Sequence, residues 1–339
     1  MEPAAAVRWE ETPCPLCGAR DEEMVLQTRV ENASCQLVRC RRCQMVYLNP
    51  RPDESSLGRF YPHDYQPYSP RVQARTGLLA RLRRKLEGLV LSAYFAYPPP
   101  VQGLTGRLAA ALARPWLAPG RDSHTSIPYT GKGHLLDFGC GGGWFARRMA
   151  DRGWKVIGMD FSEHAAAQVR ERFKLPVYVG SLPHPAVRPE SFDVINMGAS
   201  LEHVPHPNRV LEAAVKALRP GGLLVASVPN FAGWVPRTFG TDWFSLDLPR
   251  HLLHFTPATL RRLLVAHGLV VEELRMLGRV SWLRRTLRNA RTSGNTSWKR
   301  RLAALAPGLW TRWTVWSRQA DCMMAIARKP ASEALRLSA

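Results

Sequence analysis

The run Leu135-Leu136-Asp137-Phe138-Gly139-Cys140-Gly141-Gly142-Gly143 constrains the fold more than any other stretch of the chain. An apolar segment ending in Asp-x-Gly-x-Gly-x-Gly reads as a buried strand that turns sharply into a helix. Glycine supplies positive φ and leaves bare backbone for a ligand to lie against, and the helix that follows offers free N–H groups at its amino end. Trp154-Lys155-Val156-Ile157-Gly158-Met159-Asp160 then supplies a second strand, closed by an acid 23 residues after Asp137. In an open parallel sheet this is where a carboxylate holds two ribose hydroxyls, so the two strands together point to a nucleotide-like ligand. From Gly133 onward strand and helix patterns alternate, which calls for an α/β, doubly wound, mostly parallel sheet with helices on both faces.

Three further segments follow in order: Ser191-Phe192-Asp193-Val194-Ile195-Asn196-Met197, Leu201-Glu202-His203-Val204, and Leu218-Arg219-Pro220-Gly221-Gly222-Leu223-Leu224-Val225. With the glycine loop they resemble the class I S-adenosylmethionine-dependent methyltransferases. The resemblance runs from about Gly133 to Gly278 and resumes at the final strand near Asp321. It implies a seven-stranded sheet with an antiparallel last strand, and S-adenosylmethionine as cofactor. It assigns Asp160 to the ribose hydroxyls, the backbone of Gly139, Gly141 and Gly143 to the cofactor's amino-acid end, and Asp137 to the loop and the amino group. Met197, closing the fourth strand, is counted with them. Many relatives carry an Asp after the third strand to accept from adenine, whereas here Val177-Tyr178-Val179-Gly180 is followed by Ser181-Leu182. Ser181 or a main-chain carbonyl beside Leu182 is left for that role, and Phe161 either stacks near adenine or packs in the core. A dinucleotide-binding dehydrogenase would need Gly-x-Gly-x-x-Gly, and Trp144 stands where its third glycine belongs.

Residues 1–50 form a second signature, with Cys14-Pro15-Leu16-Cys17-Gly18 and Cys40-Arg41-Arg42-Cys43 separated by 22 residues. Two such knuckles allow Cys14, Cys17, Cys40 and Cys43 to converge on one tetrahedral, structural Zn²⁺, as in a zinc ribbon; iron–sulfur ligation and empty reduced thiols are the other readings. Met1-Glu2-Pro3-Ala4 shows no basic n-region before an apolar run, and no uninterrupted apolar stretch reaches spanning length. The expectation is a cytoplasmic chain without signal or spanning helix, and that disfavours disulfides. Cys35, Cys140 and Cys322 lack partner spacing and read as ordinary small residues.

The formal net charge of +20 is unevenly placed. Between Tyr65 and Arg121 there are nine basic residues, Arg71, Arg75 and Arg121 among them, and one acid, Glu87; between Arg275 and Gln319 there are eleven basic residues and no acid. The rest of the chain is close to neutral. Both segments mix leucine or tryptophan with the arginines: Leu78, Leu79, Leu82, Leu86, Leu89 and Val90 in the first, Trp282, Trp298, Trp310, Trp313 and Trp316 in the second. A solvated face, an anionic membrane surface at the inner face of the membrane, and nucleic acid all remain open as readings, nucleic acid being the weakest. If lipid is the partner, Trp310, Trp313 or Trp316 should enter the interface.

The expected organisation is a cysteine module at 1–50, a basic helical linker or lid of two or three helices at 51–130, a methyltransferase domain at 131–330, and a tail at 331–339. Within the domain a substrate cap falls at about 229–256 and a basic, Trp-rich insertion at about 279–319. Thr256 reads as N-cap of a helix beginning at Pro257, with Gly268 as its stop. For chemistry, methyl transfer to a hydroxyl gains from a base near neutral pKa, which singles out His203 and, in the cap, His251 and His254, with a structural histidine as the other reading of each; Glu202 reads as a helix-start acid. The favoured reading is a methyltransferase acting on a hydroxyl of a small or lipid-linked acceptor. Its rivals are an RNA-modifying methyltransferase and a non-enzymatic zinc-bearing adaptor. Oligomeric state has no signature.

Overall fold

A computed structural model describes residues 7–30, 33–62, 65, 68, 77–100, 103–117, 127–294 and 298–331. Arg71, Arg75, Arg121 and nearly all of the 331–339 tail lie outside the described residues. The chain forms two compact units that interleave along the sequence: one from 1–65, 199–213 and 226–326, the other from 66–198, 214–225 and 327–339.

In chain order the amino-terminal elements are β1 (Trp9–Glu10), β2 (Glu22–Val30), β3 (Ala33–Cys40), β4 (Val46–Leu48), β5 (Arg51–Pro52) and α1 (Glu54–Leu57). Two long helices follow, α2 (Leu78–Phe95) and α3 (Gly103–Leu117). The alternating part comprises β6 (His134–Phe138), α4 (Trp144–Ala150), β7 (Lys155–Asp160), α5 (Glu163–Phe173), β8 (Val177–Val179), β9 (Phe192–Gly198), α6 (Pro207–Ala217) and β10 (Leu218–Pro229). Then come α7 (Trp234–Phe239), β11 (Leu253–His254), α8 (Pro257–Ala266), β12 (Val270–Leu277), α9 (Val280–Thr292), α10 (Trp298–Leu305), α11 (Pro307–Trp316) and β13 (Cys322–Arg328).

The expected sheet is present, seven strands in the order β12-β13-β10-β9-β6-β7-β8. β6 runs parallel to both β7 and β9, and β7 to β8. Its central strands read as near-continuous apolar runs, with Leu135, Leu136, Val194 and Ile195 fully buried, as strands covered on both faces require. The last strand is antiparallel: Gly221 N–H donates to Lys329 O and Lys329 N–H to Gly222 O, both at 2.9 Å. Asp193 fixes where β6 starts, since its Oδ2 accepts from the amides of Lys132 and His134 (3.0 and 2.9 Å) while Arg219 donates to Oδ1 at 2.7 Å.

A second sheet, in the order β11-β4-β3-β2, joins the cysteine module to the segment expected as a cap. Leu253 and His254 of β11 pair with Tyr47 and Val46 of β4, and Leu48 N–H donates to Leu252 O at 2.9 Å. α8 starts as expected with a reciprocal cap: Thr256 Oγ1 accepts from Thr259 N–H and Thr259 Oγ1 from Thr256 N–H. Such a cap contributes about 1 kcal/mol. α2 and α3 pack on one another through Val90, Ala110 and Ala113, with Leu86 and Leu89 at the edge. In α9 the inward residues Leu283, Thr286, Leu287 and Ala290 leave Arg284, Arg288 and Arg291 exposed one turn apart.

Candidate functional site

The glycine loop folds as its spacing requires. Gly139, Gly141 and Gly143 all have φ near +50 to +71°, a region in which side chains are strained. Gly143 has a second reason to be glycine: a Cβ there would stand 2.6 Å from Val169 Cγ2 of α5. The turn is stitched to the second strand by Gly139 and Cys140, whose amides both donate to Met159 O. Asp160, buried at the end of β7, accepts from Gly141 N–H (2.8 Å) on Oδ2 and from Ser162 N–H (3.0 Å) on Oδ1. Burial raises its pKa against the pull of those two amides. Each oxygen keeps a lone pair, which two ribose hydroxyls can use.

Asp137, one strand over, is fully enclosed. Asn196 Nδ2 of β9 donates to its Oδ1 at 2.8 Å, whereas Oδ2 is buried without a hydrogen bond. Burial, helped by the neighbouring charge of Asp160, pushes Asp137 up to about 7. A buried carboxylate oxygen left unsatisfied is costly, and a cationic donor such as the amino group of S-adenosylmethionine would satisfy it. The residues present therefore fit that cofactor. Phe161 stands half exposed just past β7. Leu182 and Met197 are buried and Ser181 is exposed. Sequence reasoning missed two residues here. Asn196 reads as one more strand residue, although a polar side chain in an apolar strand is a signal. Tyr68 lay in a Pro- and Tyr-rich connection, yet its ring is buried near Asp160, and burial and that charge raise its pKa.

The three histidines gather in the other unit. His203 sits on a short 3-10 turn after β9, and its ring meets His251 edge to face at 4.6 Å between centroids; His251 and His254 are 6.3 Å apart. His203 Nδ1 lies 3.1 Å from Arg250 O and 2.9 Å from Tyr61 Oη. A carbonyl only accepts, so Nδ1 carries the hydrogen and Nε2 is the basic nitrogen. By the same reasoning His251 donates from Nδ1 to Ser245 O at 2.8 Å, leaving Nε2 3.7 Å from Asp247 Oδ2. Asp247 is held ionised, against its burial, by a two-pronged bond from Arg250, whose guanidinium also lies 5.2 Å over Tyr65. Burial, then the neighbouring His251, pushes His203 and His254 down to about 3, so both are neutral at physiological pH.

Glu202 is the residue underrated from sequence. It is buried, neither carboxylate oxygen makes a hydrogen bond, and burial pushes it up to about 8. A group titrating near neutral suits proton transfer better than one titrating near 3. The ligand atoms of Glu202, His203 and His251 also lie within 4.8 Å of one another, a donor set that could hold a metal ion.

The four cysteines of the amino-terminal module converge. Their sulfurs lie within 4.8 Å of one another, with Cys14 Sγ 3.4 Å from Cys43 Sγ and Cys17 Sγ 3.5 Å from Cys40 Sγ. Thiolates about 2.3 Å from a tetrahedral Zn²⁺ stand about 3.8 Å apart, so the arrangement fits that ion. Both knuckles share one turn: Gly18 N–H donates to Cys14 O and Gln44 N–H to Cys40 O, each at 2.8 Å, and Gln44 adopts the positive φ that Gly18 takes in the first.

A family model described as a methyltransferase domain matches residues 104–274. A ubiquinone biosynthesis O-methyltransferase of Thiobacillus denitrificans is 35% identical over 162 residues, covering 44% of this chain and 69% of that protein. The counterpart from Idiomarina loihiensis is 32% identical over 165 residues, 42% of this chain and 66% of its own. The chain thus spans about two thirds of the length of these curated relatives. Among solved structures, an S-adenosylmethionine dependent methyltransferase from Mesorhizobium loti, 21% identical, overlays 67% of this chain and 100% of its own with a TM-score of 0.44.

Proposed function

The chain belongs to the methyltransferase-domain family, and from that premise we propose that it transfers a methyl group from S-adenosylmethionine to a hydroxyl of a small or lipid-linked acceptor. The observation that carries this reading is the unsatisfied, buried Oδ2 of Asp137 beside the Asp160 carboxylate at the ends of adjacent parallel strands. Asp137 would hold the amino group and Asp160 the ribose, with Phe161 against the adenine. When bound, the cofactor supplies a methyl made electrophilic by its sulfonium. What the chain must add is alignment and removal of the acceptor's proton, and alignment alone accounts for several kcal/mol of such a barrier. Glu202, titrating near 8, is the carboxyl best matched to receive the proton, with neutral His203 beside it in sequence as orienter or relay.

The names of the relatives make a phenolic hydroxyl on a quinone precursor the first acceptor to try. The cysteine cluster we assign to one structural Zn²⁺: all four donors are protein sulfurs, and no position is left open for water. The test is product mass. Incubation with isotopically labelled cofactor and hydroxylated quinone precursors should raise one product by a single labelled methyl. Cofactor binding without transfer to any hydroxylated acceptor overturns the hydroxyl assignment, and absence of cofactor binding overturns the whole reading.

A further inference from the structure

Helices at a surface bury their large apolar side chains and show solvent their small or polar ones. α3 does the reverse. Ala110 and Ala113 are the residues it packs against α2, while Leu104, Leu108 and Leu112, one turn apart along a single face, are all more than half exposed. In the other unit, α10 carries Trp298, Leu302 and Leu305 on one face, and α11 carries Leu309, Trp313 and Trp316 at the same spacing. Leu305 and Trp316 are each 81% exposed and Leu309 69%. Trp310 lies off this face: its ring packs on Trp234 at 4.8 Å and on Trp313 at 5.2 Å.

These apolar faces fall in the two segments that hold nearly all of the net charge. Glu87, the one acid between 65 and 121, is already engaged by Arg148 and Arg152. On α10 and α11 the exposed charged residues are Lys299, Arg301 and Arg312, and α9 adds Arg284, Arg288 and Arg291. An occupant of these faces must therefore be apolar and anionic together. A second copy of the chain is apolar in the same places but carries the same +20 charge. Nucleic acid is anionic yet offers little to aliphatic leucine. An anionic bilayer offers both, acyl chains at the depth of the leucines and headgroups at the level of the arginines, with tryptophan at the boundary. Among the described residues no helix is long and apolar enough to cross a membrane, so the contact is one of lying on the surface.

We propose that the Leu104–Leu108–Leu112 face of α3 and the leucine–tryptophan faces of α10 and α11 are contacts with an anionic lipid bilayer. This deepens the lipid-linked acceptor reading above, while standing on exposure and charge alone.

The test uses the full chain with vesicles of phosphatidylcholine alone and of phosphatidylcholine with an equal part of phosphatidylglycerol. The protein should sediment with the anionic vesicles only, with a blue shift of tryptophan emission that Trp298→Ser with Trp316→Ser reduces, Trp313 remaining on the face. Leu305→Asn with Leu309→Asn, and separately Leu104→Asn with Leu108→Asn, should each lower vesicle partition at least about tenfold, since each removes two leucines from the buried face. These side chains are exposed, so an unchanged melting temperature, measured alongside, shows that each variant folds. Equal partition of folded variants and parent overturns the proposal. So does capture of structured RNA at physiological salt with no vesicle binding, or a dimer that Leu305→Asn with Leu309→Asn dissolves. Methyl transfer to a water-soluble acceptor without vesicles is measured on the same samples; it should persist in all variants, and its failure would count against the enzymatic reading rather than against the lipid faces.

Discussion

Around Asp137 and Asp160 the partners are main-chain amides and one residue on a neighbouring strand, whereas His203, next to Glu202, is held by the Tyr61 hydroxyl, the Arg250 carbonyl and the His251 ring, with Asp247 beyond His251, segments far apart in sequence. The first centre is a property of strand ends and a glycine turn, so it exists wherever that local pattern folds. The second exists only if the chain before β6 and the insertion after β10 are both in place. One centre leaves a single carboxylate oxygen buried and unbonded, and the other leaves a whole carboxyl buried and mostly protonated at neutral pH.

The contrast can be broken most forcefully at the zinc site. Metal analysis of the parent should find roughly one zinc per chain, and Cys40→Ser should lose it and release the β2–β4 sheet, because structural zinc binding contributes on the order of 10 kcal/mol to folding of small modules. Hydrogen exchange at the Leu48 amide, which donates to Leu252, reads the release. Cofactor affinity measured on the same sample should survive; a comparable collapse there would erase the distinction between the two centres.

Next in size is Glu202→Gln. Turnover should fall about 10²–10⁴-fold with cofactor affinity unchanged, the range for a lost general base. In the parent, turnover should rise with pH through about 8 as Glu202 ionises, and the variant should lack that limb. Stability carries the opposite sign. The folded state holds the Glu202 proton more tightly than the unfolded one, so its contribution is full below about pH 4.5 and is lost as pH rises through about 8. Thermal melts at pH 9 should therefore find Glu202→Gln more stable than the parent, and a variant less stable there would contradict the buried, neutral carboxyl.

Asp160→Ala should weaken cofactor binding by roughly 1–3 kcal/mol, through lost bonds to the ligand and two stranded loop amides. Unchanged affinity by calorimetry would remove Asp160 from the site. The smallest effect sharpens the contrast most. With Asp137 at about 7 when free, a cationic amino group should lower that pKa, so binding near pH 6 should release a proton, and affinity should rise with pH to about 7 and then level. Asp137→Asn should bind without that slope; a slope that persists assigns the proton elsewhere.

Much of this was legible in the sequence, for physical reasons that differ by region. The alternating strands and helices, the Thr256 cap and the convergence of the four cysteines follow from local periodicity, a capping residue and fixed ligand spacing, whereas the strand count and the antiparallel last strand came with the resemblance to class I methyltransferases. Asn196 was missed because its role depends on register: it faces Asp137 only once β9 lies beside β6. Glu202 reads from sequence as a helix-start acid because its burial is a property of the folded chain that the local sequence does not show. The inverted face of α3 escaped notice too, since a leucine stripe in sequence says nothing of whether it points inward or out.

One pairing has a bearing on how such a chain can change by recombination. β11 borrows its neighbour from the cysteine module, Leu253 beside Tyr47 and His254 beside Val46, and Arg262 of α8 donates to Cys43 O at 2.6 Å. The module thus supplies three strands of a sheet whose fourth lies some two hundred residues later, and is not a detachable accessory. A shortened descendant beginning at β6 would bare the edge of β11 and strand the Arg262 guanidinium. Exchange with another amino-terminal domain would succeed only if the newcomer brought a strand edge of matching register, so the two distant segments are bound to be inherited and altered as a pair.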